Sequence, residues 1–221
     1  MLQVIRNSWW WWKVTDKWSD NDKIGKDDVT ISNITVSGSI IAKQDVADII
    51  GKAYNEGNVR ITNCINNAKI EQTNPKDGRA SGILAYASGQ TSLTILICKN
   101  SGVIKSHDYI SSILNVGFNG SKSVDILVND CLNSGNLYVE REQWNSGGNA
   151  NILISLGGSN WETAAKGSNI NFSKVNVNTG KLYLGLDESS FSEAQNVKLI
   201  NLIFCDSGDN KEYNGLIETK E

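Results

Sequence analysis

Residues 59–70 read VRITNCINNAKI, residues 93–104 LTILICKNSGVI and residues 124–137 VDILVNDCLNSGNL. Each opens on alternating β-branched or aliphatic residues and passes a cysteine. Each then crosses Asn-rich polar positions and ends on a small residue and an aliphatic one. Period-two alternation marks a half-buried strand, and Asn, Ser and Gly mark tight turns. The same pattern, with the cysteine replaced, reads VTISNITVSGSI at 29–40, NINFSKVNVNTGKL at 169–182 and VKLINLIFCDSGDN at 197–210. The small position is Gly38, Ala68, Gly102, Gly135, Gly180 and Gly208, at steps of 30, 34, 33, 45 and 28 residues.

A second motif, an aliphatic strand running into a glycine turn, follows each of the first four: DVADIIGKAYNEG (45–57), ASGILAYASGQ (80–90), ISSILNVGFNG (110–120) and NANILISLGG (149–158). A weaker counterpart is NGLI at 214–217. Helical repeats are excluded, because no segment sustains apolar spacing at i, i+3 and i+4. Propeller blades need longer repeats with four strands each. The pattern predicts an all-β fold, a right-handed parallel β-helix of about six coils, each with two or three short strands whose like positions stack. The repeat domain spans 29–221, a Trp-rich cap segment 1–28 precedes it, and the coil at 124–168 carries loop insertions.

The cysteines agree with stacking. Four residues before each small position lie Ile34, Cys64, Cys98, Cys131, Asn176 and Phe204, with Cys205 one place off. No zinc spacing or C-x-x-C occurs, and parallel in-register side chains suit a disulfide poorly. The expectation is a column of reduced, core-filling thiols.

ITNCINNAKI, ILICKNSGVI and VNDCLNSGNL resemble the N-C-x-N-x-G-x-[IV] repeats of bacterial and protist surface proteins, and ASGILAYASGQ resembles the G-G-I-[VA]-G segment of the same GLUG-type arrays. The likeness covers residues 29–158 well and 169–217 loosely. It implies a β-helical stalk or binding module of an adhesin-like protein, an extracellular or cell-surface location, and no catalytic residues to carry over.

The net charge of −3 and the lack of a Lys/Arg block argue against a nucleic-acid partner. No apolar run is long enough for a membrane span. The N-terminus is a poor signal peptide, since Arg6 leads into Asn7, Ser8 and tryptophans. Trp9, Trp10, Trp11 and Trp12 are adjacent and precede the first coil, where one ring pair can plug the open end of a β-helix; left uncapped, such ends associate end to end.

Two polar loops, at 140–151 and 157–169, lengthen the fourth coil, and Trp144 and Trp161, beside Asn145 and Asn160, are candidate contacts for a glycan or a partner protein. The alternative is that each ring folds over its own loop. A second candidate is an acidic edge formed by Asp45, Asp77, Asp108, Glu140 and Asp187, flanked by Glu142 and Glu188. Carboxylates stacked at strand spacing repel one another, which a cation such as Ca2+ would relieve. The other reading is a solvated face with Lys43, Lys76, Lys105 and Arg141 interleaved. No other cofactor is implied. The nearest approach to an acid–base cluster in the sequence is His107-Asp108 with Lys105, and successive strand residues point to opposite faces. The leading expectation is a non-catalytic module of a surface or secreted protein, for adhesion or for glycan or protein binding. A polysaccharide lyase or hydrolase is the rival, which requires convergent groups near His107, Asp77 and Glu140. A structural segment of a larger assembly is the third reading.

Overall fold

The computed structural model describes residues 28–54, 57–74, 78–88, 92–107, 109–117, 124–140, 151–157, 170–172, 177–194, 198–202 and 217–218. These form strands in five sheets and no helix. Sheet one contains Val29–Ser32, Asn58–Thr62, Ser92–Leu96, Asp125–Asn129, Ile170–Phe172 and Ile217–Glu218. Sheet two contains Thr35–Val36, Ile65–Asn66, Lys99–Asn100, Leu132–Asn133 and Val177–Asn178. Sheet three contains Ser39–Ala42, Lys69–Gln72, Ile104–Ser106, Leu137–Glu140, Leu182–Gly185 and, at its edge, Ser192–Glu193. Sheet four contains Val46–Ala47, Arg79–Ser81 and Tyr109–Ser111. Sheet five contains Ile50–Tyr54, Leu84–Ser88, Leu114–Gly117, Asn151–Gly157 and Lys198–Leu202.

The first three repeats visit the sheets in the order one to five, and each strand pairs in parallel with its counterpart one repeat away. Like positions therefore align. Val29, Val59, Leu93, Ile126, Ile170 and Ile217 are successive partners in sheet one. Ile40, Ile70, Ile104, Leu137 and Leu182 are partners in sheet three, and Ile50, Leu84, Leu114, Ile154 and Ile200 in sheet five. The alternation read from the sequence sets which face is buried. Val59 and Ile61, Leu93 and Ile95, and Ile126 and Val128 point inward, with polar or part-exposed residues between them. A one-residue slip would turn a whole set outward, so the apolar pattern fixes the register.

Between sheets one and two the chain turns on a single left-handed residue: Asn33 (φ 59°), Asn63 (52°), Ile97 (56°) and Asp130 (54°). Asn and Asp tolerate that conformation, whereas a β-branched residue is strained in it. The next position is the expected thiol column, and Cys64, Cys98 and Cys131 are free and buried. Asn176, Phe204 and Cys205 lie outside the described residues.

Two residues further on is a column the cysteines do not announce. Asn66 Nδ2 donates to Asn100 Oδ1 at 2.6 Å, Asn100 Nδ2 to Asn133 Oδ1 at 2.7 Å, and Asn133 Nδ2 to Asn178 Oδ1 at 2.7 Å. Asn66, Asn100 and Asn133 have no exposed surface. Their amides also donate to turn carbonyls, Asn100 to Gly102 at 3.2 Å and Asn133 to Gly135 at 3.0 Å. A buried amide is tolerated because its donors and acceptor are matched. The turn residues pack against one another: a Cβ on Gly102 would collide with the Ala68 carbonyl oxygen, and one on Gly135 with that of Gly102. Beneath Ala68, which is fully buried, Gly38 has φ 113°, and its carbonyl accepts from Lys69 N–H at 2.8 Å.

The structure corrects two expectations. Each of the first three repeats has five strands rather than two or three, because the two-residue strands of sheets two and four are too short to alternate visibly. The segment at 197–210 is not a sixth copy of the first motif. Lys198–Leu202 pairs with Asn151–Gly157 in sheet five, and Ile217, taken as the end of a closing second motif, pairs with Ile170 in sheet one. Both motif types are an aliphatic strand followed by an Asn/Gly turn, so the phase was lost where the repeats become irregular.

Candidate functional site

The buried hydrophobic residues whose side chains the structure describes are Ile, Val, Leu, Ala and Cys, and the aromatic rings it describes are all part-exposed. The rings gather on outer faces. On the outer face of sheet three, Glu71, Lys105, Tyr138 and Tyr183 form one column through successive strand pairings. The Tyr138 and Tyr183 rings stack at 4.8 Å with 9° between their planes, and Phe191 meets Tyr138 edge-on at 5.1 Å.

At the adjoining corner, Glu140 holds two basic groups. One carboxylate oxygen pairs with the Lys105 ammonium and the other is 3.0 Å from His107 Nδ1. Glu188 reaches Lys105 from the other side at 3.8 Å, with its own side chain 83% exposed. Burial alone would push the Lys105 ammonium down, but its bond to Glu140 and the fields of Glu140, Glu71 and Glu188 outweigh that and raise it. Lys105 is therefore a fixed cation, not a proton acceptor at neutral pH.

Residues 186–194 form a strap over this face. Ser192–Glu193 pairs antiparallel with Tyr183 and Leu184, the only antiparallel pairing among the described residues. Asp187 builds the turn. Its carboxylate accepts from Ser189 Oγ at 2.6 Å and from Ser189 N–H at 2.9 Å, bonds that hold it below the usual carboxylate range. Lys181 and Glu193 pair at 2.7 Å across the hairpin. A Cβ on Gly185 would strike the backbone of Ser190 and Phe191, so the glycine lets the strap close.

Of the acidic edge, Asp45 is 3.2 Å from the Arg79 guanidinium. Arg79 in turn lies over the Tyr86 ring at 3.9 Å and the Tyr109 ring at 5.3 Å. Glu140 faces Lys105 and His107, and Asp187 is engaged in its own turn. The structure thus brings cations to Asp45 and Glu140 and uses Asp187 locally. No group of three or more His, Cys, Asp or Glu side chains converges on a metal position among the described residues. Asp77, Asp108, Trp144, Asn145, Trp161, Asn160 and the Trp9–Trp12 run lie outside the described residues.

The structure brings together His107 and Glu140, two of the three residues that the rival reading grouped; the third, Asp77, lies outside the described residues. The signal was available: the 33-residue step from Gly102 to Gly135 also carries 107 onto 140.

A second unforeseen feature is Asp48, which has no exposed surface and no hydrogen-bond partner for either carboxyl oxygen. Burial, reinforced by the nearby Cys64, pushes its carboxyl up to about 8. The thiols are also mostly held protonated. Cys64 is pushed well up, first by its hydrogen bond with Cys98 and then by burial, and Cys98 reaches about 12, chiefly through Cys131. Neither has the exposed, electropositive setting of a reactive cysteine.

Among the described residues no helix is long and apolar enough to cross a membrane. Comparison with family models, with curated proteins and with solved structures returned no match for this chain.

Proposed function

We propose that the chain is a right-handed parallel β-helix acting as a non-catalytic binding module of a surface or secreted protein. Support for the winding comes from strand counterparts that pair in parallel one repeat apart in all five sheets, in register except for two shifts in sheet five. Right-handed crossovers between parallel strands are strongly preferred. The repeat likeness to GLUG-type surface arrays points to the same architecture and location.

The observation that carries the binding reading is the gathering of rings and charges on the outer face of sheet three. Tyr138, Tyr183 and Phe191 supply apolar area with polar rims beside the Lys105–Glu140–His107 cluster. Aromatic residues are enriched where one side of a ring must meet a partner. Glu140, at the rim of this face, directly precedes in sequence the stretch that holds Trp144. In this reading Trp144 and Trp161 add contacts, and Trp9–Trp12 close the first repeat against end-to-end association.

The convergence of Lys105, His107 and Glu140 is the specific observation favouring the rival, a polysaccharide lyase or hydrolase. Charge weighs against it for polyanionic substrates, because Glu71 and Glu188 also crowd Lys105. A glycan array read together with an assay for new reducing ends and unsaturated products separates the two. Binding without turnover is expected, and turnover abolished by His107→Ala would establish the enzyme instead.

A further inference from the structure

We propose that Asn33 is an N-glycosylation site, the acceptor of an oligosaccharide transferred from a polyisoprenyl diphosphate; this rests on the surface-or-secreted reading above and adds a modification to it.

Asn33, Ile34 and Thr35 form Asn-x-Thr with no proline between, the tripeptide that marks an N-linked acceptor. Its setting in the fold is what selects it. Asn33 and Thr35 are both exposed, on either side of the half-buried Ile34. Asn33 makes the left-handed turn, φ 59°, at the corner between sheets one and two, and Thr35 opens the first strand of sheet two. Among the described residues Val29–Ser32 and Thr35–Val36 lie at the ends of their sheets, so one side of the tripeptide meets no strand. A transferase has to reach the amide, the hydroxyl and the backbone between them, and an edge corner presents all three.

The amide is held at one atom and open at the other. Asn33 Oδ1 accepts from Asn63 Nδ2 at 2.7 Å, whereas Asn33 Nδ2 has only a long contact, 3.4 Å, with Ser32 Oγ among the described residues. Asn63 commits its Nδ2 to the rung below; Asn33 has no described rung below it, so its nitrogen stands at the end of the row. In the transfer Nδ2 attacks the anomeric carbon of the donor sugar. The C1–N bond forms as the C1–O bond to the diphosphate breaks, the lipid diphosphate leaves with the electron pair, and one amide proton passes to a base of the transferase. Asn33 keeps Oδ1 and one N–H, so the bond from Asn63 survives.

The stacked repeats do not offer the same chemistry. Two residues after Asn63 stands Ile65, after Ile97 Lys99, and after Asp130 Leu132. Within this row the left-handed Asn and the exposed hydroxyl coincide only at the edge. Asn119-Gly120-Ser121 and Asn171-Phe172-Ser173 share the spacing, but Asn119, Ser121 and Ser173 lie outside the described residues.

The test is expression of the full chain behind a cleavable secretory leader in a eukaryotic cell, alongside cytosolic expression. Peptides are mass-mapped before and after amidase release, which leaves Asp where a glycosylated Asn stood. The expected result is an occupied Asn33 in the secreted protein and a bare one in the cytosolic protein. Occupancy should be lost in Thr35→Val and kept in Thr35→Ser, with unchanged circular dichroism; both changes leave the turn and the Asn63 bond in place. Secretion of the folded chain with Asn33 bare, or with occupancy confined to Asn119 or Asn171, would overturn the site and leave the surface-or-secreted reading standing. Occupancy of Asn33 undiminished in Thr35→Val would overturn the tripeptide as its cause. A chain that folds in the cytosol but is retained and degraded in the secretory pathway would overturn both.

Discussion

Ile97 is the one β-branched side chain in the left-handed row, with φ 56° and 58% of its surface exposed. An L-residue in that region costs about 1–2 kcal/mol, least for Asn and Asp. Asn33, Asn63 and Asp130 occupy the same turn in the neighbouring repeats. Ile97→Asn should therefore stabilise the chain by about 1 kcal/mol, read as a rise in Tm of about 2–4 °C. Asp48 makes the opposite statement. An ordinary Asp ionises near 3.8, while Asp48 in the fold holds its proton to about 8. Between those values the unfolded chain has released a proton that the folded one retains, so stability falls as pH rises through the window and levels off above it. The slope reaches about 1.4 kcal/mol per pH unit. Urea unfolding of the parent and of Asp48→Asn across this range should show the slope in the parent and its loss in the variant. Equal slopes would mean that the carboxyl is solvated. The asparagine column shows the limit of reading residues singly. Asn66, Asn100 and Asn133 were visible as polar positions two before the small residue, but an Asn near a turn is exposed by default. Only stacking reveals that the amides satisfy one another in a chain from Asn66 through Asn100 and Asn133 to Asn178.

The elements most legible in the sequence were the strands of sheets one and five, where four or five alternating residues set a face. Sheet two was not legible, since two residues carry no period. The strap at 186–194 was invisible for a different reason: its contacts with Gly185, Tyr138 and Lys105 are tertiary, and its residues were counted as part of an acidic edge. The glycine column was legible as a position, and its reason is steric. Gly135→Ala would drive a methyl into the Gly102 carbonyl and crowd the Asn100 amide. A loss of about 1–3 kcal/mol in chemical denaturation is expected. The reverse change two sites below, Ala68→Gly, should cost no more than about 1 kcal/mol. If Gly135→Ala were as mild, the turns would not be stacked as closely as described.

At the scale of the molecule, the fold is a sum of repeats that each bury their apolar face against the next. That regularity makes the architecture readable from one chain: three cysteine lines with a shared register imply parallel stacking. It also hid the function. The ladders consume the recurring residues, and the proposed binding face draws on irregular parts, the sheet-three corner and the strap, where no period guides the eye. The central claim, parallel in-register stacking, is tested most directly by a distance. Thr30 and Leu127 are 97 residues apart in sequence but three strands apart in sheet one, through Arg60 and Thr94. Spin labels at Thr30→Cys and Leu127→Cys, with Cys205 replaced by serine, should report a narrow distribution consistent with a Cα separation of about 14 Å. A broad distribution, or one centred beyond about 30 Å, would contradict the stacked-repeat account.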